Sequence, residues 1–365
     1  MTRLLFLFYL AIGPWITGMR ENSFSVLWTS DEECIAWVQL ENGERIYEEF
    51  AGRRTHGRFH HIKIEGLKAG SEISYMIGCR NVIDKKNPRR PEYGEEILNG
   101  PYKVRTFSRD RKDCRFTVMN DVHMNLQRYR SYVAQIDPDA TDFIFLNGDI
   151  ISAGHHPIDS IVKYEIEPLG ELPSRIPVMF ARGNHEGRGD GIRNIQAVYP
   201  NDNEELPFSY MFREGPAAFI VLDAGETGVK NSLAFCGEDI YEDYIRSQME
   251  WASKMMKSRE WRSAQFRICL LHVPMIAPGV PDDYVVHTWM NHNFVPVLNK
   301  GGVNLMIGAD LHEYQFHEPG TMGNDFPILV NDNQSRLEAK VTGNGIAITI
   351  YDEAGNTVHT HLVKK

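Results

Sequence analysis

Five short groups of carboxylate, imidazole and amide side chains follow one another along the chain: Asp121-Val122-His123, Gly148-Asp149, Gly183-Asn184-His185-Glu186, the single His272, and Asp310-Leu311-His312. Each is weak evidence alone. Together they contain what a pair of divalent ions needs: a carboxylate whose two oxygens can bind different ions, and neutral imidazoles and an amide oxygen that complete the shells with little added negative charge. Two such ions about 3.5–4 Å apart acidify a shared water and neutralise charge on a transferring phosphoryl group, so the chemistry these groups could support is hydrolysis of a phosphate ester.

Elements that could position them stand directly before each group. Phe116-Thr117-Val118-Met119, Phe143-Ile144-Phe145-Leu146, Val178-Met179-Phe180-Ala181, Ile268-Cys269-Leu270-Leu271 and Leu305-Met306-Ile307 are short apolar runs that end in polar residues. Such runs predict buried parallel strands whose carboxyl ends line a site. Helical patterns fall between them at 125–135, 158–169 and 241–258, the last with its Met and Trp residues on a core-facing side. Strands are predicted at 208–212 and 218–223, and a closing hairpin at 345–351 and 357–363.

Residues from about 13 to 107 read differently. Alternating segments at 23–28, 34–40, 59–64, 73–77 and 102–107, joined by polar or glycine-containing turns, predict an all-β sandwich. The Lys-, Arg- and Pro-rich stretch 84–96 reads as an exposed hairpin loop. A charged connector at 108–114 then marks the change to alternating strands and helices.

The 365 residues are long enough for two domains, and 42% hydrophobic with 24% charged residues is a globular composition. A formal net charge of -10 argues against bulk nucleic-acid binding, which draws its affinity from Lys and Arg on phosphates. No stretch approaches the ~20 apolar residues of a membrane-spanning helix. Arg3 followed by apolar residues 4–12 has the pattern of an export signal, against which the same stretch reads as the lead-in to a first strand at 14–17; an exported or cell-envelope protein is the expectation. Five scattered cysteines, at 34, 79, 114, 236 and 269, form no Cys-x-x-Cys pair and read as core residues, a Cys34–Cys79 disulfide being the less favoured alternative.

The order and spacing of the five groups resemble those of calcineurin-like metallophosphoesterases, and the β-rich N-terminal part makes the chain similar to the branch containing purple acid phosphatases. The likeness extends over nearly the whole chain. It implies a fibronectin type III-like β-sandwich over 1–110 and a four-layer α/β/β/α catalytic domain over 111–365. Residue by residue, it implies that Asp121, His123 and His312 bind one divalent ion, that Asn184 and His272 bind a second, and that Asp149 bridges them, the ions being Mn, Zn, Fe or Mg. It also implies a small phosphomonoester or phosphodiester substrate, attacked by a hydroxide shared between the ions. His185 would bind a phosphate oxygen or protonate the leaving alkoxide, and Glu186 would orient that ring or cap the turn after it.

Two positions depart from the family pattern. Ser152 stands where purple acid phosphatases carry the tyrosine that binds ferric iron, so no coloured iron-phenolate site is expected. Asp310 stands where the family has a histidine ligand of the second ion; as an oxygen donor it would bias that position towards Mn or Mg. The alternative is a noncatalytic relative in which Asp310 impairs the second ion site and the protein binds a protein, glycan or surface ligand. His155, His156 and Arg188 are candidate substrate contacts at the mouth of the site, against a reading as solvated loop residues. His287, His292 and His317 read as rim or surface residues, and Tyr314 and Phe316 as lining either cleft or core. Specificity is expected in the loops at 151–161, 187–203 and 277–293.

Overall fold

The computed structural model describes residues 10–152, 156–226, 241–274 and 285–365. The N-terminal strands are β1 (Leu10–Thr17), β2 (Phe24–Leu40), β3 (Arg45–Tyr47), β4 (Glu49–Phe50), β5 (Arg53–Arg54), β6 (His56–Ile64), β7 (Glu72–Asp84) and β8 (Glu92–Arg105). Except for the β4–β5 hairpin they belong to one antiparallel network, in the order β1-β2-β7-β8, with β3 and β6 also on β2. The segments 23–28 and 34–40, expected as separate strands, are two halves of the 17-residue β2. The polar stretch between them shifts the register against β6 between Thr29 and Cys34 without ending the strand. The hairpin expected at 84–96 is the turn between β7 and β8.

The rest of the chain supplies β9 (Asp113–Met119), α1 (Leu126–Val133), β10 (Phe143–Asn147), α2 (Ile158–Ile161), β11 (Val178–Ala181), α3 (Asn184–Gly187), α4 (Ile192–Val198), β12 (Tyr210–Glu214), β13 (Ala217–Leu222), α5 (Tyr241–Met255), α6 (Arg259–Arg262), β14 (Phe266–Leu271), α7 (Val285–Gly301), β15 (Leu305–Gly308), β16 (Gln315–His317), β17 (Ile328–Val330), β18 (Ser335–Thr342), β19 (Gly345–Asp352) and β20 (Thr357–Val363). They make two mixed six-stranded sheets, β11-β10-β9-β18-β19-β20 and β12-β13-β14-β15-β17-β16.

The two-residue period of the strands decides the layering. Phe116, Val118, Phe143 and Phe145 of the first sheet share one core with Phe219, Val221, Ile268, Leu270, Leu305 and Ile307 of the second. Their neighbours point outward: Met119, Ile144 and Leu146 pack with Tyr129 and Tyr132 of α1, and Ile220, Cys269 and Met306 pack with Ile245 and Ala252 of α5 and Leu298 of α7. The result is helix, sheet, sheet, helix, behind an N-terminal β region whose Val26, Trp28 and Ile77 join the central core.

Two expectations change in detail. The helix expected at 158–169 is α2 followed by a π-helical turn, Val162–Ile166, and a tight 3-10 turn, Glu167–Leu169. Pro168 has no N–H to continue an α ladder. Within the loop expected at 277–293, α7 already begins at Val285. The π turn buries Glu165 completely; burial first, and then Glu186, holds its carboxyl well above the ordinary range.

Candidate metal centre

The five groups meet at the carboxyl ends of their strands. β9, β10 and β11 run parallel, with Leu146 opposite Met119 and Asn147 opposite Ala181, so the turns after them emerge side by side. β14 and β15 do the same in the second sheet. Hydrogen bonds stitch the turns together: Asp121 and His123 donate their N–H to the carbonyls of Gly148 (3.0 Å) and Asp149 (2.9 Å). Six of the turn residues, Asp121, His123, Met124, Asp149, Asp310 and His312, have positive φ, a conformation that costs L-residues energy and clusters at functional sites.

The side-chain atoms converge. His123 Nε2 and His312 Nε2 are 3.1 Å apart, and Asp121 Oδ1 is 3.3 Å from His312 Nε2. His272 Nε2 lies 3.4 Å from Asp149 Oδ1, 3.9 Å from Asp121 Oδ1 and 3.8 Å from Asp310 Oδ1. His123 Nε2 and His185 Nε2 lie 3.8 Å and 3.6 Å from Asp149 Oδ2. Asp121, His123 and His312 form one triad able to hold an ion; Asp121, Asp149 and His272 form another, and His123, Asp149 and His185 a third. Asp149, common to two of them, presents its two oxygens to different rings.

Hydrogen bonds leave the converging atoms unused. Asp121 Oδ2 accepts from Asn120 Nδ2 (2.8 Å) and from the Asp310 N–H (3.1 Å), leaving buried Oδ1 without a hydrogen-bond partner. His272 Nδ1 donates to the Asn147 carbonyl at 2.6 Å, so its bare Nε2 faces the carboxylates. Asn184 Nδ2 donates to Glu226 Oε1 (3.2 Å), which turns its unpartnered Oδ1 the other way. Buried polar atoms without a hydrogen-bond partner call for an explanation, and Asp121 Oδ1 and His272 Nε2, 3.9 Å apart, are donors a cation could join. The local field agrees: burial opposes charge on both groups, yet His272 holds Asp149 down to about 2, while Asp149 and then Asp121 raise His272 well above its ordinary value. A field that favours an imidazolium proton at that point favours any cation there.

Glu186 does not orient His185. Its carboxylate, fully buried, accepts the N–H groups of Asp149 and Gly183 on one oxygen and of Ile150 on the other, all at 2.9 Å. It therefore caps its own turn and binds that turn to the Gly148-Asp149 turn. Both glycines are required by close approach. A Cβ on Gly183 would lie 2.1 Å from Asp149 Oδ1, and one on Gly148 would lie 2.5 Å from His272 Nδ1.

Two acidic residues outside the recognised groups complete the surroundings. Glu226, 2% exposed, binds Arg188 through two 2.7 Å bonds as well as holding Asn184. Arg188 Nη1 donates in turn to His185 Nε2 at 2.9 Å; because guanidinium has no acceptor, the ring proton of neutral His185 is on Nδ1. Burial, reinforced by Arg188 and opposed by Asp149, lowers the His185 pKa. Asp223 forms a buried two-point ion pair with Arg182, at 2.8 and 2.9 Å, and so anchors the segment that carries Glu226. Neither acid has a motif of its own. The only signal in the chain was their place just after an apolar strand.

Asp310 turns its carboxylate inward, towards His272. Burial pushes it up to about 7; His272 opposes this and Asp121 and Asp149 reinforce it, so three carboxylates crowd one place. Of the candidate substrate contacts, Arg188 lies beside His185, whereas His156 is 5% exposed with its carbonyl accepting from Asn194 (2.9 Å), and His155 lies outside the described residues. Tyr314 and Phe316 stack on His359 and His361 of β20, and His317 pairs with Gln315. A cleft of about 720 Å³ shares no residue with this cluster; its lining includes Arg105, Arg111 and Asp142, already paired with one another, so volume is no guide to the chemistry.

Residues 114–314, more than half of the chain, match the family described as calcineurin-like phosphoesterase. No curated protein matches the sequence. Among solved structures, the purple acid phosphatase PPD1 from seeds of yellow lupin (Lupinus luteus) is similar with a TM-score of 0.68 and 15% identity, over 96% of this chain and 74% of that one. GAP50, the anchor in the inner membrane complex of Plasmodium, is similar with a TM-score of 0.52 and 16% identity, over 70% of this chain and 89% of that one. At such identities the likeness is one of fold.

Proposed function

Since the chain belongs to the calcineurin-like phosphoesterase family, we propose that its Asp/His cluster holds two divalent ions and hydrolyses a phosphomonoester or phosphodiester. The observation that carries this reading is the gathering of Asp121, His123, Asp149, His185, His272 and His312 into triads whose ligand atoms lie within 4.8 Å of one another, with buried Asp121 Oδ1 and His272 Nε2 lacking a hydrogen-bond partner. Asp121, His123 and His312 would hold one ion, Asn184, His272 and Asp310 the other, and Asp149 both. When bound, such ions supply an acidified water and neutralise charge on the phosphoryl group.

The chain's own residues supply position and proton management. Glu186 and the two glycines hold the Asp149 turn so that its carboxylate could serve both proposed ions. Asn147 and Glu226 set the His272 tautomer and the Asn184 amide, so both present lone pairs. His185, 25% exposed on its side chain, would meet the ester by donating its Nδ1–H to a phosphate oxygen. With its pKa lowered it serves as a neutral imidazole, not as a standing imidazolium. Arg188, its charge matched by Glu226, acts on His185 more directly than on a phosphate. The export-signal-like pattern at residues 3–12 supports, in the same proposal, an exported protein.

The extra carboxylate of Asp310 favours a second reading, a relative that binds without catalysis because the second ion is held poorly. Reconstitution with Mn, Zn, Fe or Mg, followed by metal analysis and assays on p-nitrophenyl phosphate and its bis ester, separates the two. Two bound ions and hydrolysis of either ester are expected. Fewer than two ions with neither ester cleaved would leave only the binding protein.

A further inference from the structure

The N-terminal strands contain a second group of interacting nucleophilic and titratable side chains, which the proposed reaction does not use. Cys34 Sγ lies 3.3 Å from His60 Nε2, and His60 Nδ1 lies 3.1 Å from Glu48 Oε2. Ser30 Oγ is 3.1 Å from the same Nε2. Cys34 and His60 are fully buried while the Glu48 side chain is 26% exposed, so the row leads from solvent to a buried sulfur. The order is thiol, imidazole, carboxylate: Glu48 holds the Nδ1 proton and leaves Nε2 to take the proton of Cys34.

A second sulfur stands beside the first. In the β2–β7 pairing Ala36 faces Cys79 and Cys34 faces Asn81, which puts both cysteines on one side of the pair, a diagonal step apart and in the same core. Cys79 and then His60 favour the Cys34 thiolate and hold it below the usual thiol range despite burial. His60 is pushed up to about 9: burial opposes this, but Cys34 and Glu48 outweigh it. Cys114 and Cys269 are as deeply buried, and burial raises both thiols, as Cys34 and then burial raise that of Cys79.

We propose that Cys34 and Cys79 form a redox dithiol that hydrogen peroxide oxidises, with Cys34 as the attacking sulfur and Cys79 as the resolving one. The Cys34 thiolate attacks one peroxide oxygen; an S–O bond forms, the O–O bond breaks, and the departing hydroxide takes the His60 Nε2 proton and leaves as water. Cys79 then attacks the sulfenic sulfur; the S–S bond forms, the S–O bond breaks, and the Cys79 proton goes out with the second water. Two thiols lose two electrons and two protons, and the peroxide is reduced to two waters. A small-molecule thiol reverses the change. The product would cross-link β2 to β7 within the N-terminal network.

The test is made on the reduced full-length chain treated with hydrogen peroxide, then denatured, alkylated and mapped by peptide mass spectrometry. The Cys34–Cys79 linked peptide is expected to appear while Cys114 and Cys269 stay open to alkylation. Cys79→Ser should leave Cys34 as a sulfenic acid that a dimedone probe captures, and His60→Gln should slow loss of the Cys34 thiol at least ~10-fold. Absence of the linked peptide from the wild-type chain, or oxidation of Cys34, Cys79, Cys114 and Cys269 at one rate, would overturn the proposal without recourse to any variant. An unchanged Cys34 rate in a folded His60→Gln protein would overturn the role given to the imidazole. Metal content and esterase activity do not enter these measurements, so they are independent of the function proposed above.

Discussion

Replacing Glu186 with Gln separates the two roles that a buried acid in this position can have. Burial, and next to it Asp149, pushes the group up to about 7, but its oxygens accept three short N–H bonds and a carboxyl proton would have to oppose one of those donors. We therefore take it as ionised above that pH. In the variant, the best placement sets the new amide oxygen against the two donors Asp149 and Gly183 and the new NH₂ group against the N–H of Ile150. One charge-assisted bond, at about 1.5–3 kcal/mol, is lost outright, and the other two weaken by about 1 kcal/mol each, for a total of about 3.5–5 kcal/mol. Urea unfolding of the metal-free proteins at about pH 8 reads this as a fall in midpoint at constant slope. Because the broken bonds join the Asp149 turn to the Asn184 turn, metal affinity should fall with stability. A change below ~1 kcal/mol would refute the reasoning, since it would mean that the native group is protonated and that the amide is its close copy.

Glu226→Gln should release Arg188 and let the Asn184 amide turn, weakening the second ion about 10- to 100-fold while sparing the first; titration calorimetry of apo protein would show otherwise if both steps kept their affinity. Asp310→His removes one of three crowded carboxylates and should move metal preference towards Zn or Fe, as read by competition with Mn; an unaltered preference would take Asp310 out of the ligand set. Glu165 has a folded pKa raised above its unfolded value of about 4.5, so its contribution to stability is complete below that pH and is lost as pH rises towards the folded value. Glu165→Gln, which has no proton to lose, should gain stability relative to wild type as pH climbs from 4.5, and melting curves that stay parallel across that range would contradict it.

The linear pattern of residues was enough to bring the candidate ligand groups together, because parallel strands make a site from chain ends that are short and local. An apolar run followed by Asp121, Asp149, Asn184, His272 or Asp310 says both that a strand stops there and that a polar group follows, and the β-α alternation puts those stops on one edge. The same pattern could not say that residues 23–28 and 34–40 join as β2, because a bulge absorbs polar residues that otherwise read as a turn.

Partnership between distant residues was decided only by tertiary structure. Whether Glu186 serves its own helix, His185 or the neighbouring turn depends on the turns after β10 and β11 coming within hydrogen-bond reach. Glu226 becomes the holder of Asn184 and Arg188 because β13 brings its following segment across from the other sheet, and the direction of the His272 proton depends on a carbonyl 125 residues away. Residue type and strand periodicity are local properties, carried by every stretch of the sequence. The direction of a lone pair, the match of one charge by another and the pairing of Cys34 with His60 are properties of space, and they exist only once the sheets have packed.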